Sequence, residues 1–370
     1  MANIQTNSTI AGGYIGVDED GLTGLLLDNA YDSVAKCMPK LSMEEKTTLL
    51  KTAEMDLFEV GLTSINDAGL GEEERDLFLK LYEDNQLKIR SYAMLFPEES
   101  NLNWAMENGI VEKNRLSIRS FKILADGALG SYGACLLEPY SDQPNKTGFL
   151  LNDSSTIHAI CELAAELDYQ VNTHCIGDSA NRFMLKIYEQ VIGSKADHRW
   201  KIEHAQVLHA EDFKYFQEIG VIPSVQPTHA TSDMNWAEER LGRHRLKGAY
   251  AYKTLLDKNG RIVLGTDFPV EGINPLHTFY AAIARKDHSG NPKEGFLPEQ
   301  ALSRKEALLG MTLWPAYSNF ESHMKGSLEA GKVADFVILT QDIMVIDEAE
   351  ILNTFVEKTY LNGALVYDAY

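Results

Sequence analysis

Residues 169–206 read YQVNTHCIGDSANRFMLKIYEQVIGSKADHRWKIEHAQ. Residues 169–174 have the length and apolar character of a buried strand, residues 180–191 carry an amphipathic helical pattern, and residues 200–204 are strand-like again. Strand, helix and strand in that order make a βα unit, whose strands lie parallel because the helix returns the chain to the same end of the sheet. Both strands end in histidine, so this topology predicts His174 and His204 on one rim.

The same alternation extends in both directions. Strand-length runs occur at residues 62–67 (LTSIND), 87–95 (LKIRSYAML), 121–125 (FKILA), 221–226 (VIPSVQ) and 261–267 (RIVLGTD), which brings the total to seven. Helical stretches fall between them at residues 43–60, 72–84, 155–167, 210–219, 249–256 and 275–285. Ser42 with Glu45 forms a capping box before the first of these, and Gly61 suits the position just past its end. Ser303 with Glu306 caps another helix, which Trp314-Pro315 is expected to end.

Seven strands are one short of a closed (β/α)8 barrel. Upstream, residues 12–28 read instead as a hairpin around Asp20-Gly21, and after Asn319 the segments DFVILT and KTYLNGALVY alternate with turns at Gly331 and Asn362-Gly363. The expected organisation is a hairpin region at 1–41, an α/β TIM-type barrel at 42–318 and a small β appendage at 319–370.

Composition narrows the function classes. With 44% hydrophobic and 24% charged residues, a 370-residue chain can bury a large core. Its 34 Lys and Arg against 54 Asp and Glu give a formal charge of −20, which disfavours nucleic acid and anionic membranes as partners. Cys37, Cys135, Cys161 and Cys175 form no C-x-x-C pair, which suits a reducing compartment. The opening MANIQTNSTIAGGYIG lacks a leader pattern and no run approaches the length of a membrane span, so a cytoplasmic location is expected for this chain.

Four residues at or near strand ends carry the chemistry: Lys122 in FKILADG, His174 in NTHCIGD, His204 in IEHAQ and Asp267 in LGTDFPV. Neutral imidazole and carboxylate are common ligands of divalent metals, and a carboxylate also accepts a proton from water. Each has a structural alternative. The histidines could be hydrogen-bonded framework residues, Asp267 a helix cap, and Lys122 the partner of Asp126 or another carboxylate in a salt bridge.

At these residues the chain resembles the amidohydrolase superfamily, in particular the amidohydrolase-3 group with its YtcJ-like and N-substituted formamide deformylase-like members. The blocks that carry the resemblance are FKILADGALGSYGACLLEPYSD, NTHCIGDSANR, KIEHAQVL, PSVQPTHATSDMNWAEERLG, LGTDFPVEGINPL and KGSLEAGKVADFVIL, in that order across the chain. The resemblance implies a metal-dependent hydrolase of non-peptide C–N bonds using metal-bound hydroxide, with zinc the expected metal. It further implies that a carboxylated Lys122 bridges two divalent ions, that His174 and His204 hold the second, and that Asp267 binds the first and shuttles the proton.

The same comparison makes His229, in QPTHATSD, a candidate to orient the substrate carbonyl. Asp178 would hold His174 or cap the following helix; Arg285 and Asp287 would line the pocket mouth or pair with each other. A small amide-like molecule is the implied substrate.

One departure is informative. Members of the group begin with a strand ending in His-x-His that chelates the first metal, and no His-x-His occurs in these 370 residues. The visible strands then correspond to strands two through eight, the C-terminal appendage to the remnant of a β-sandwich, and the chain to a truncated form holding at best one weakly bound metal. Unpaired strand edges would favour homo-oligomers or pairing with another chain. The alternative is a non-catalytic barrel that binds a ligand or partner. A phosphate-binding barrel fits less well, because Asp267-Phe-Pro stands where a glycine-rich loop would.

Overall fold

The computed structural model describes residues 4–193, 195 and 197–370. The chain opens with a hairpin of β1 (Gly13–Asp18) and β2 (Gly21–Asp28), as its Asp20-Gly21 turn predicts. The main sheet takes β3 (Ser64–Leu70), β4 (Arg90–Leu95), β6 (Leu116–Leu124), β7 (Gln170–Cys175), β8 (Lys201–His204), β9 (Ile222–Val225) and β10 (Val263–Leu264). Their spatial order is β10-β9-β8-β7-β6-β4-β3, every neighbouring pair parallel, with the short β5 (Val111–Lys113) antiparallel to the first half of β6.

The seven runs found in the sequence therefore form one curled α/β sheet. No strand among the described residues joins β3 to β10, and the barrel stays open there. The last run is much shorter than its sequence suggests. With a neighbour only on the β9 side, the ladder ends after Leu264, apart from one bond from Gly265 N to the Val225 carbonyl.

Burial explains the residue choice along each strand. Phe121, Ile123, Val171 and Ile202 belong to the continuous apolar core that also holds Ile157, Ala164, Met184 and Tyr188 from the covering helices. The alternate residues Ser120, Lys122, Gln170, Asn172 and Lys201 are equally buried but polar. A parallel strand in an α/β barrel thus shows one face to its helices and one to the barrel interior, and here the interior is where the ionisable groups lie.

The first long helix, Met43–Glu59, has both halves of the Ser42–Glu45 capping box, and Gly61 follows it at φ 84°, a left-handed geometry glycine adopts without cost. Helix Glu99–Asn108 escapes sequence reading because it buries little beyond Asn101 and Ala105. Trp314-Pro315 does not end a helix. The break falls at Thr312, and Pro315 sits in the first turn of a new helix, Leu313–Ser318, where its missing N–H is not needed.

The C-terminal appendage is one antiparallel sheet of β11 (Phe336–Leu339), β12 (Val356–Leu361) and β13 (Ala364–Asp368). Asn362 and Gly363 both take positive φ, as a tight hairpin between twisted strands requires. The buried Arg90–Asp335 ion pair at 2.6 Å and a 2.6 Å hydrogen bond from the Thr359 hydroxyl to the Phe58 carbonyl fasten it to the barrel.

Candidate metal centre

Register along the sheet sets which side chains meet. Lys122 is opposite Asn172, Leu124 opposite His174, and His174 opposite Glu203. In a parallel pair, opposed residues share a face, so His204, opposite Cys175, starts on the helix-covered side. It does not stay there. His204 has φ 72° and Ala205 φ 41°, and this left-handed turn brings the imidazole to the rim, its ring centre 4.4 Å from that of His174. Asp267, at φ 60°, is likewise turned out of the strand direction beyond β10.

His204 and Asp267 converge with His229, whose helix, Pro227–Asp233, begins directly after β9. One ligand atom from each of the three lies within 4.8 Å of the others. His229 Nε2 is 3.1 Å from Asp267 Oδ2, and its Nδ1 is 3.2 Å from Glu271 Oε1. The sequence pointed to His229 for a role toward substrate. Geometrically it stands inside the tightest cluster, closer to Asp267 than His174 is.

His174 flanks this cluster from the β7 side. Its Nε2 is buried, accepts no hydrogen bond and lies 3.8 Å from Asp126 Oδ1. Lys122 is 6% exposed, and among the described residues the alternative of a salt bridge to Asp126 or another carboxylate is not formed. Asp126 turns the other way, accepting the backbone N–H groups of Cys135, Ile176 and Gly177 at 2.8–2.9 Å.

The electrostatics separate two kinds of histidine. Burial, and then the Lys122 charge, depress the His174 imidazole to about 3. Burial, then competition with His174 for a proton and the Lys122 charge, drives His204 well below its usual value. Both are neutral bases with free lone pairs. Burial alone would depress His229 too, but its bonds to Asp267 and Glu271 prevail and push it to about 9. Asp267 is held below the ordinary carboxylate range, its burial outweighed by the His229 bond and by the nearby positive charges.

These residues fit a divalent cation. Two neutral imidazoles bear buried nitrogens without a hydrogen-bond partner, His174 Nε2 and His204 Nδ1, and an ionised carboxylate stands alongside. A cation could be held by His204 and Asp267, with His174 and Lys122 on its β7 and β6 side, while His229, protonated by its bonds to Asp267 and Glu271, stands beside it.

Three further expectations are corrected. Asp178 neither contacts His174 nor caps the helix Asp178–Ile192; its Oδ1 accepts the Leu137 N–H, tying in the loop after β6. Arg285 and Asp287 do not pair. Arg285 is fully buried, donates to the Phe296 carbonyl and stacks over Tyr252, whereas Asp287 closes a turn by accepting the N–H groups of Ser289 and Asn291. Asp126 and Glu271 are the site residues sequence reading missed. Asp126 lies in the quoted ADG segment, but its partners are 9 to 51 residues away and leave no local pattern.

Comparison with known proteins agrees with this fold. The chain is 31% identical over 366 residues to Protein LONG AFTER FAR-RED 3 of Arabidopsis thaliana, covering 93% of this chain and 61% of that protein. It is 30% identical over 371 residues to the putative amidohydrolase YtcJ of Bacillus subtilis (strain 168), covering 96% of this chain and 68% of that one. The N-substituted formamide deformylase of Arthrobacter pascens is 24% identical over 375 residues, with the same coverage. The chain thus spans about two thirds of the length of the curated relatives it matches.

Among solved structures, an uncharacterized metal-dependent hydrolase from Pyrococcus horikoshii OT3 superposes with a TM-score of 0.78 at 29% identity, over 90% of this chain and 67% of that one. A second, from Pyrococcus furiosus, gives 0.72 at 28% identity, over 85% and 64%. The amidohydrolase family model matches residues 1–367, and the chain belongs to the amidohydrolase family.

Proposed function

We propose that this site hydrolyses a non-peptide C–N bond, of an amide or N-substituted formamide, with the help of a divalent cation, zinc being the expected one. The observation that carries the reading is the convergence of His204, His229 and Asp267 within 4.8 Å, beside the unpartnered nitrogen of His174. The relative named as an N-substituted formamide deformylase supports the choice of bond.

A bound divalent cation supplies Lewis acidity, polarising a carbonyl and easing the deprotonation of water. The chain's own groups do the rest. Asp267, ionised in the resting site, takes the proton of the attacking water and passes it to the leaving nitrogen. His229, whose two ring nitrogens hold Asp267 and Glu271 in the resting site, would turn its Nε2–H from Asp267 to the carbonyl oxygen as that oxygen gains charge and Asp267 takes up a proton, while Glu271 keeps the ring oriented. His174 and His204 serve as neutral ligands, and Lys122, if carboxylated, would offer an anion where it now offers a cation.

No His-x-His pair exists in the sequence, so we infer that these residues hold one ion, weakly, and that turnover by this chain is slow. The test is metal analysis together with a screen of N-formyl and N-acyl compounds with and without added zinc. Zinc-dependent release of amine that Asp267→Asn and His204→Ala each abolish supports the reading. Two tightly held ions per chain with rapid turnover would contradict the single weak site.

A second reading is favoured by one specific observation. Between β3 and the helices packed near β10 lies a largely apolar cavity of about 380 Å3, lined in part by Leu62, Leu276, Met311, Leu328 and Val337. The unpaired edge of β3 borders it, which would suit an extended segment of another chain or of a second copy.

A further inference from the structure

Two contacts between histidine rings belong to the candidate centre, and a third lies outside it. His277 and His288 hold their ring centres 4.2 Å apart with the planes inclined at 59°, closer than the 4.4 Å that separates His174 from His204. Nothing in the proposed reaction uses them.

Both rings are carried by fixed backbone. His277 is the third residue of the helix Pro275–Ala284, whose first turn is capped by Asn274 and whose Leu276, Phe279 and Tyr280 are buried in the core. His288 rides the turn that follows, which Asp287 closes by accepting the N–H groups of Ser289 and Asn291 at 2.9 Å. That turn is anchored just upstream, where the Phe296 N–H donates to the Arg285 carbonyl at 2.6 Å and Lys286 pairs with Glu348 at 2.8 Å. The fold has therefore already met the entropic cost of bringing two imidazoles together, which a flexible pair would have to meet on binding.

The surroundings admit an ion. His288 is exposed and His277 half-buried, so solvent reaches the pair. Half-burial also holds His277 below the usual histidine value, which keeps its lone pair free at neutral pH. The formal charge of −20 draws cations to the chain in general.

Spacing selects the kind of ion. With metal–imidazole bonds of about 2.0–2.1 Å, two rings at adjacent positions of a tetragonal ion have centres about 4.5 Å apart, and on a tetrahedral ion about 5.2 Å apart. The observed 4.2 Å is nearer the first, and the exposed His288 ring can turn to supply the remainder. Copper(II) and nickel(II) are the ions that take that geometry with nitrogen ligands, copper the more tightly.

We propose that His277 and His288 form a second divalent-metal site, separate from the candidate centre, that takes a tetragonal ion such as copper(II) and leaves its remaining positions to water. The site does not depend on the hydrolase reading, and its test measures no hydrolysis.

The experiment titrates copper(II) into the full chain carrying His204→Ala, which disables the candidate centre, and follows binding by calorimetry and electron paramagnetic resonance. A tetragonal spectrum with nitrogen ligands is expected at one equivalent. Adding His277→Gln or His288→Gln should each weaken that binding at least about tenfold, to similar extents, because either leaves a single imidazole. Affinity that neither variant changes, or that only one of them lowers, overturns the proposal. Should His277→Gln alter the near-UV circular dichroism, modification by diethylpyrocarbonate takes its place. Copper is then expected to shield both His277 and His288, and shielding of one or neither overturns the site.

Discussion

His204 and Ala205 occupy left-handed backbone, and for residues with a side chain each such turn costs on the order of 1 kcal/mol. The imidazole it positions is buried with Nδ1 unpartnered, a further cost. Removing that ring should therefore do little harm to the metal-free chain. We expect His204→Ala to change its unfolding free energy in urea by no more than about 1 kcal/mol. The same variant should lose the rise in stability that zinc gives the wild type, about 2.7 kcal/mol at a hundredfold excess over the dissociation constant.

His229 offers a pH signature. In the metal-free chain its folded-state pKa of about 9 exceeds the unfolded value near 6.5, so the proton is bound more tightly when folded. The resulting stabilisation is fully present below about pH 6.5 and is lost as pH rises through about 9. An imidazole titration by NMR should find this value, and His229→Gln should flatten stability between those limits. A measured pKa near 6.5 would show that the bonds to Asp267 and Glu271 do not hold in solution. Of this cluster, His204 and Asp267 were legible because each ends a strand-like run. His229 was legible as a residue but not as their close neighbour, because a helix after β9 sets its place, and Glu271 follows the last strand with no periodic signal.

Among the elements, the loops after β6 and β7 are joined through one carboxylate. Asp126 accepts N–H groups from both, so Asp126→Ala would leave three donors, two of them buried, without that partner. We expect a loss of at least about 3 kcal/mol in chemical denaturation, with hydrogen exchange accelerating together at Cys135, Ile176 and Gly177. The parallel strands could be read from periodicity because the local pattern repeats seven times, and the two capping boxes because each spans only four residues. Helix Glu99–Asn108 and the three-residue β5 could not, the first for lack of an apolar face and the second for lack of length. The two helices after β9, Pro227–Asp233 and Ala237–Leu246, lie in what the sequence reads as a long insert.

Taken as a whole, the molecule has an open seam. Among the described residues β3 and β10 each have a free edge, and exposed Leu328 and Val337 stand beside the cavity near β3. We expect reversible association at micromolar concentrations in sedimentation velocity. Since burying a leucine is worth about 1.5–3 kcal/mol, Leu328→Lys should weaken it roughly tenfold or more. A strictly monomeric wild type would rule out the seam as a contact between copies. The number of strands announced this opening in the sequence, while the cavity beside it depends on residues from 60 to 356 and had no local signal.

The fastening of the C-terminal sheet has a consequence for synthesis. Arg90 meets Asp335 across 245 positions, and the Phe58 carbonyl meets Thr359 across 301. Both barrel partners leave the ribosome long before their mates exist, so this corner, with the β3 side of the sheet beside it, cannot be completed until residues 335–359 have been made. During that interval the free edge and its apolar lining are exposed together. The yield of folded protein should therefore depend on translation speed and on chaperones that shield strand edges, more than on the stability of the finished molecule.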